Sequence, residues 1–310
     1  MHQITGRWKL GLVLALITAL MWGLLPIAIK ELLKTMDPWT ITFYRFIGAA
    51  FVMGIYLYYK HNLPKIKAIN KQIALLLILC ILGLCSNYIF FLYGLDLTSP
   101  ATTQVLIQLA PMMLLFGSLT LFKESFSKIQ WLGFLTFFVG LMLFFNYKLS
   151  DLFQLNSAYS KGVFYIIAAS ATWAIYALAQ KQLLKTFSSI GIMFIILVVG
   201  SLGFFPEAHP EQIMELDNLG LGMLIFSSLN TAIAYGAFAE AMNHWEASRV
   251  SAVLSITPII TVLSLSLLSL VFEDYFQVET LSTLTIIGII VVVLGSSLTA
   301  LGKKKVVSNT

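Results

Sequence analysis

Ten apolar runs, each close to the length that crosses a bilayer, limit what this chain can fold into. In order they cover roughly residues 9–30, 38–59, 72–94, 98–122, 129–147, 161–183, 187–205, 219–243, 248–271 and 281–301. A hydrocarbon core needs about 20 apolar residues per helix and tolerates no unsatisfied backbone, so the runs predict ten transmembrane α-helices. Composition points the same way: 59% of the 310 residues are hydrophobic, 11% are charged and mean hydropathy is +0.89, outside the soluble range. The expected fold class is an all-α integral membrane protein. The first run has a basic lead, as a signal peptide would, but it continues to Lys30, too long for a signal core, and is expected to stay as a span.

The formal charge is +5. Its cations fall in short joins and form no basic face, so the expected surroundings are lipid and nucleic acid is not an expected partner. They orient the chain instead. With the N-terminus inside, Arg7, Lys9, Lys60, Lys65, Lys67, Lys71, Lys123, Lys128, Lys181, Lys185, Arg249, Lys303, Lys304 and Lys305 are cytoplasmic, and only Lys30, Lys34, Lys148 and Lys161 are outside. Both termini are expected in the cytoplasm of a bacterium, with the chain in its inner membrane. Cys80 and Cys85 share one run and form no disulfide framework. His2, His61, His209 and His244 sit in termini or joins. With no HExxH, GxSxG or P-loop either, no metal, cofactor or enzymatic activity is expected.

The chain repeats itself weakly but in order. "MWGLLPIAIK" puts Trp22 eight residues before Lys30, and "TWAIYALAQK" puts Trp173 eight before Lys181, 151 residues on. "TTQVLIQLAP" aligns with "RVSAVLSITP" at an offset of 147, pairing Gln104 with Ser251, Gln108 with Ser255 and Pro111 with Pro258, and the same offset pairs Tyr88 with Tyr235. Gly133 and Gly140 are seven apart, as are Gly288 and Gly295. Two units follow, residues 1–150 and 151–310. Five spans per unit is odd, so the second must enter the membrane from the opposite face, the inverted-repeat plan of many secondary transporters.

These features resemble the EamA-type family of the drug/metabolite transporter superfamily. The resemblance is carried by Trp22-Gly23, the Arg45 of "FYRF", Pro111 and Pro258, and acids closing the fourth and ninth spans in "FKES" and "FEDY". It spans nearly the whole chain and implies a cavity lined by spans 1, 3, 4, 6, 8 and 9. The sequence departs from the family pattern at Ala174, where glycine would follow the second Trp, and at Ile196, where a counterpart of Arg45 would stand.

Polar groups inside spans need partners in protein or water. Gln104, Gln108 and Pro111 share one helix face, and Ser251, Ser255 and Pro258 the matching one. The functional reading is a wet wall with proline hinges; the alternative is interhelical hydrogen bonding worth below about 1 kcal/mol. Asn87, Asn230, Thr231, Tyr176, Tyr88 and Tyr235 are further donors at middle depth. Trp22 and Trp173 lie too deep for interface anchors, leaving a cavity wall or core packing. Arg45 is expected to pair with Asp37 or another outer acid, with substrate contact as the lesser reading. Glu240 is a candidate for proton coupling, and pairing with Arg249 or Lys181 is the plainer account. Lys30 and Lys181 are expected to cap their own helices.

The expected function is transport of a small molecule by alternating access. Mostly neutral polar groups beside aromatic surface suit a neutral, zwitterionic or amphipathic cargo such as an amino acid, with export as the expected direction; phosphorylated cargo would demand clustered cations. Uptake of a nucleoside-like metabolite or S-adenosylmethionine is a second reading, and a non-transporting scaffold or receptor a third.

Overall fold

A capping residue stands in front of most apolar runs, and the helices begin there. The computed structural model describes residues 5–64, 69–122, 127–146, 156–272 and 281–301, together with Lys148, Asp151, Gln154 and Phe276. Asp37 precedes Pro38 and accepts from the backbone N–H groups of Trp39 and Thr40, starting α2. Ser127 and Gln130 form a reciprocal capping box, and Ser99, Ser157, Ser188 and Asp217 each accept from a first-turn N–H. Such caps satisfy donors that the helix itself leaves orphaned.

Among the described residues there are twelve α-helices and no strand. They are α1 (Trp8–Leu32), α2 (Pro38–Tyr59), α3 (Lys71–Leu97), α4 (Pro100–Leu106), α5 (Leu109–Phe122) and α6 (Lys128–Phe144), then α7 (Ala158–Leu183), α8 (Ser189–Phe204), α9 (Asn218–His244), α10 (Ala247–Leu254), α11 (Thr257–Val271) and α12 (Thr283–Leu301). Eight helical stretches are long and apolar enough to cross a membrane: α1, α2, α3, α7, α8 with its following turn, α9, α10 with α11, and α12. α6 is apolar but only 17 residues long.

The sequence predicts one continuous helix in each of the fourth and ninth runs, and the structure breaks both. Pro111 and Pro258 have no N–H to give the carbonyl four residues earlier, Ile107 and Leu254. The chain tightens there instead: Ala110 N bonds Ile107 O at 2.9 Å and Ile259 N bonds Ile256 O at 3.0 Å, a three-residue step in each case.

The long helices pair antiparallel: α1 with α9, α3 with α7, α2 with α8 and α6 with α12. The last pair approaches closely, because glycines on each helix meet the backbone of the other. A Cβ on Gly133 would lie 2.5 Å from Thr299 N, and one on Gly140 2.5 Å from Val292 N. On the facing helix, a Cβ on Gly288 or Gly295 would run into the backbone of Phe144 or Phe137. Phe46, Leu84 and Ile196, all fully buried, centre a core between α2, α3, α7 and α8. The outward faces carry Phe51, Leu82, Met142, Leu202 and Leu270, a surface suited to lipid rather than water.

One cap differs from expectation. Lys30 Nζ donates to the carbonyls of Leu95 (3.0 Å), Asp96 (2.6 Å) and Thr98 (3.0 Å), so it closes the C-terminal end of α3, not of its own helix. α3 and α1 end side by side there, and the longer reach finds more unsatisfied oxygens. The closing acids Glu124, Glu273 and Asp274 lie outside the described residues, as do Lys65, Lys67, Lys123 and Lys303 to Lys305.

Candidate functional site

Both helix breaks border one cavity of about 200 Å³. A water needs only about 10–15 Å³ of such space, so there is room for a cluster of waters or a small metabolite. Most of its wall consists of pairs 147 residues apart: Tyr88 with Tyr235, Phe91 with Phe238, Gln104 with Ser251, Ile107 with Leu254, and Ala110 with Thr257. Trp22 and Trp173 complete the set. Helices α1, α3, α7 and α9 and the broken helices of the fourth and ninth runs all contribute, and α2 adds Arg45.

The amides hold the wall together while lining it. Asn87 Nδ2 donates to Ala169 O on α7 at 2.8 Å, and Asn230 Nδ2 to Met21 O on α1 at 2.6 Å. Gln104 Nε2 reaches Trp22 O at 3.3 Å. Gln108 Nε2 reaches across to Thr257 Oγ1 at 3.1 Å and, more weakly, to Ser255 O at 3.5 Å. That carbonyl is one the break in the ninth run leaves unclaimed, since Ile259 N bonds Ile256 instead. Trp22 meets Tyr235 edge-on with ring centroids 5.5 Å apart and tilts against Phe238 at 5.6 Å, geometries favoured by ring quadrupoles.

Arg45 corrects the sequence expectation. It is 2% exposed and lines the cavity, its Nη2 donates to Thr231 Oγ1 at 3.3 Å, and its guanidinium lies 4.6 Å from the centre of the Tyr88 ring. No acid among the described residues pairs with it, and its Nε has no partner. Asp37 is already occupied: its carboxylate caps α2 and accepts from Thr40 Oγ1 at 2.6 Å.

Four candidates stand away from the cavity. Tyr176 is buried in the α2–α3–α7–α8 core, with Met193 Sδ 4.0 Å from its hydroxyl. Ser255 turns to Ser297 on α12, 2.6 Å away. Pro258 is buried just past the second break, whereas Pro111 lines the space. Glu240 is half-exposed and pairs with Asn243 Nδ2 (2.9 Å) and His244 Nε2 (3.0 Å), while Arg249 pairs with Glu246. The i+3 and i+4 neighbours on its own helix are at hand, and Arg249 on α10 is taken by Glu246. Conversely, Phe91, Ile107, Phe238 and Leu254 line the cavity without having been singled out from sequence. The 147-residue offset that pairs Tyr88 with Tyr235 also pairs these, and apolarity alone hid them.

A multi-span helical protein whose broken helices face a largely apolar, aromatic cavity edged by a few amides and one guanidinium has the build of a membrane transporter. The chain belongs to the EamA-like transporter family, which matches residues 9–146 and again 160–301. It is similar to the uncharacterized inner membrane transporter YhbE of Escherichia coli (strain K12), with 38% identity over 296 residues covering 95% of this chain and 92% of that protein. It is also 36% identical over 295 residues to an uncharacterized transporter of Haemophilus influenzae (strain ATCC 51907 / DSM 11121 / KW20 / Rd), covering 95% and 96% of the two chains. A solved structure described as "Crystal structure of protein" shares the fold at a TM-score of 0.63 and 16% identity, covering 94% of this chain and 97% of that one.

Proposed function

We propose that this protein is an inner-membrane secondary transporter that exports small neutral, zwitterionic or amphipathic metabolites such as amino acids. It works by alternating access of two inverted five-span units, residues 1–150 and 151–310, around the cavity. The observation that carries this reading is the paired wall: six pairs of lining residues, drawn from both units at the repeat offsets, enclose one space. Inversion is supported by α6 and α12, the fifth spans of the two units, which run antiparallel with Gly133 and Gly140 facing Gly295 and Gly288. The repeat offsets also relate contacts. Asn87 on Ala169 corresponds to Ala234 on Thr18, where Thr18 Oγ1 lies 3.4 Å from Ala234 O. Asn230 on Met21 corresponds to Gly83 on Thr172, whose carbonyl a Cβ on Gly83 would approach to 2.9 Å. Breaks in the fourth and ninth spans give each unit a hinge beside the cargo.

Glu240 lies off the cavity, so nothing in its position favours it as a proton carrier. The test is flux in proteoliposomes with a radiolabel panel of amino acids, nucleosides and polyamines, run with and without an imposed pH gradient. One class is expected to move, and Gln104→Leu/Gln108→Leu is expected to abolish its flux while the protein still inserts. Undiminished flux in that double variant would refute the cavity as the route.

A further inference from the structure

Arg45 is the one buried cation of the cavity wall among the described residues, and the fold contains its own control for it. At the repeat counterpart of Arg45 stands Ile196, fully buried in the core. The counterparts of its neighbours on α9 are equally apolar or bare: Thr231 corresponds to Leu84 and Asn230 to Gly83. The corresponding helix pair, α8 beside α3, thus carries neither the charge nor the hydrogen-bonding groups at these positions. Packing does not require a guanidinium at this place.

What the charged version leaves open is specific. Arg45 has a donor, Nε, with no acceptor, and its neighbours are one neutral hydroxyl and the face of the Tyr88 ring. Tyr88 and Tyr235, a repeat pair, also line the cavity that it borders. Asn230 is held through its Nδ2 by Met21 O, which leaves Oδ1 as an acceptor without a donor. An unpaired cationic donor and an unpaired carbonyl acceptor thus come from the wall of one 200 Å³ space. With no acid paired to it among the described residues, the guanidinium is complete only with an anion, and its planar fork matches a carboxylate. A single cation suits one negative charge.

We propose that Arg45 is the carboxylate-binding and specificity-determining residue of the cavity, so that the transported molecule carries a carboxylate, with any ammonium group directed to the amide oxygen of Asn230. This rests on the transport reading above. The test is equilibrium binding, followed by tryptophan fluorescence and calorimetry, to full-length protein in detergent, because Trp22 and Trp173 line the same space. The probes are L-phenylalanine, L-leucine and L-alanine with the amide of each, and phenylacetate with phenylacetamide. At least one acid is expected to bind, more tightly than its amide by about tenfold or more, since truncating a desolvated charge pair costs at least that. Arg45→Gln is expected to erase the difference and Arg45→Lys to retain part of it. Equal binding of acid and amide, an Arg45→Gln protein that still prefers acids, or no binding by any acid at millimolar concentration each overturns the proposal. Measuring binding separately from flux keeps the two claims apart: acid preference without flux removes the transport reading, and flux without acid preference removes this one.

Discussion

A guanidinium that is 2% exposed and held by one hydroxyl is a cost to folding, not a support. An arginine at the centre of a membrane span costs about 2.5–3.5 kcal/mol even on scales that allow for relaxation, an upper figure for Arg45, the eighth residue of the 22 in α2. Its attraction to the Tyr88 ring, 4.6 Å away, returns about 0.5–2 kcal/mol. Arg45→Gln is therefore expected to stabilise the detergent-solubilised protein by up to about 3 kcal/mol, seen as a higher thermal midpoint, while binding is lost. A lower midpoint would mark Arg45 as a structural tie. Function retained at the expense of stability is a common pattern at binding sites. The sequence displays the arginine but hides its isolation. Asp37, eight residues earlier, looks like a partner until the helix start is seen, where α2's own N–H groups and Thr40 take both carboxylate oxygens.

At the level of helices, seven-residue glycine spacing was legible in both the fifth and tenth spans, but the sequence could not say that the two stripes face each other. The structure joins them, and the approach is close enough that a Cβ added at either stripe would meet backbone, which cannot rotate away. Gly140→Ala and Gly295→Ala are each expected to destabilise by about 1–3 kcal/mol through overpacking. Gly222→Ala provides the control, since a Cβ there has nothing within 4 Å and should gain up to about 1 kcal/mol of helix propensity. Denaturant or thermal unfolding of the three variants checks this, and equal midpoints would mean that the seam is slack. The prolines were legible as hinges in the same partial way. They forecast a lost hydrogen bond; only the structure shows a full break at Ile107–Gln108 and Ser255–Ile256.

For the whole molecule, the hydropathy runs give ten spans, yet length and composition qualify eight helical stretches among the described residues. The discrepancy sits in the fourth run, cut by its break, and in α6, whose 17 residues span about 26 Å at 1.5 Å per residue. That is short of a bilayer core of about 30 Å by an amount that local thinning absorbs. α6 also lies antiparallel against α12, a helix long enough to cross, and one that shares its glycine seam along most of its length. That seam ties the placement of α6 to that of α12. The two span counts place the residues just before α6 on opposite sides, so the question reduces to one exposed position. Lys128→Cys should resist a membrane-impermeant maleimide in intact cells and react once the cells are opened, whereas Met214→Cys, at a position 87% exposed, should react in intact cells. The native thiols interfere little, since Cys80 is buried and Cys85 partly so within α3. Labelling of Lys128→Cys in intact cells would mean that α4, α5 and α6 do not cross. The two units would then no longer be equivalent and inverted, and alternating access between them would lose its geometric basis.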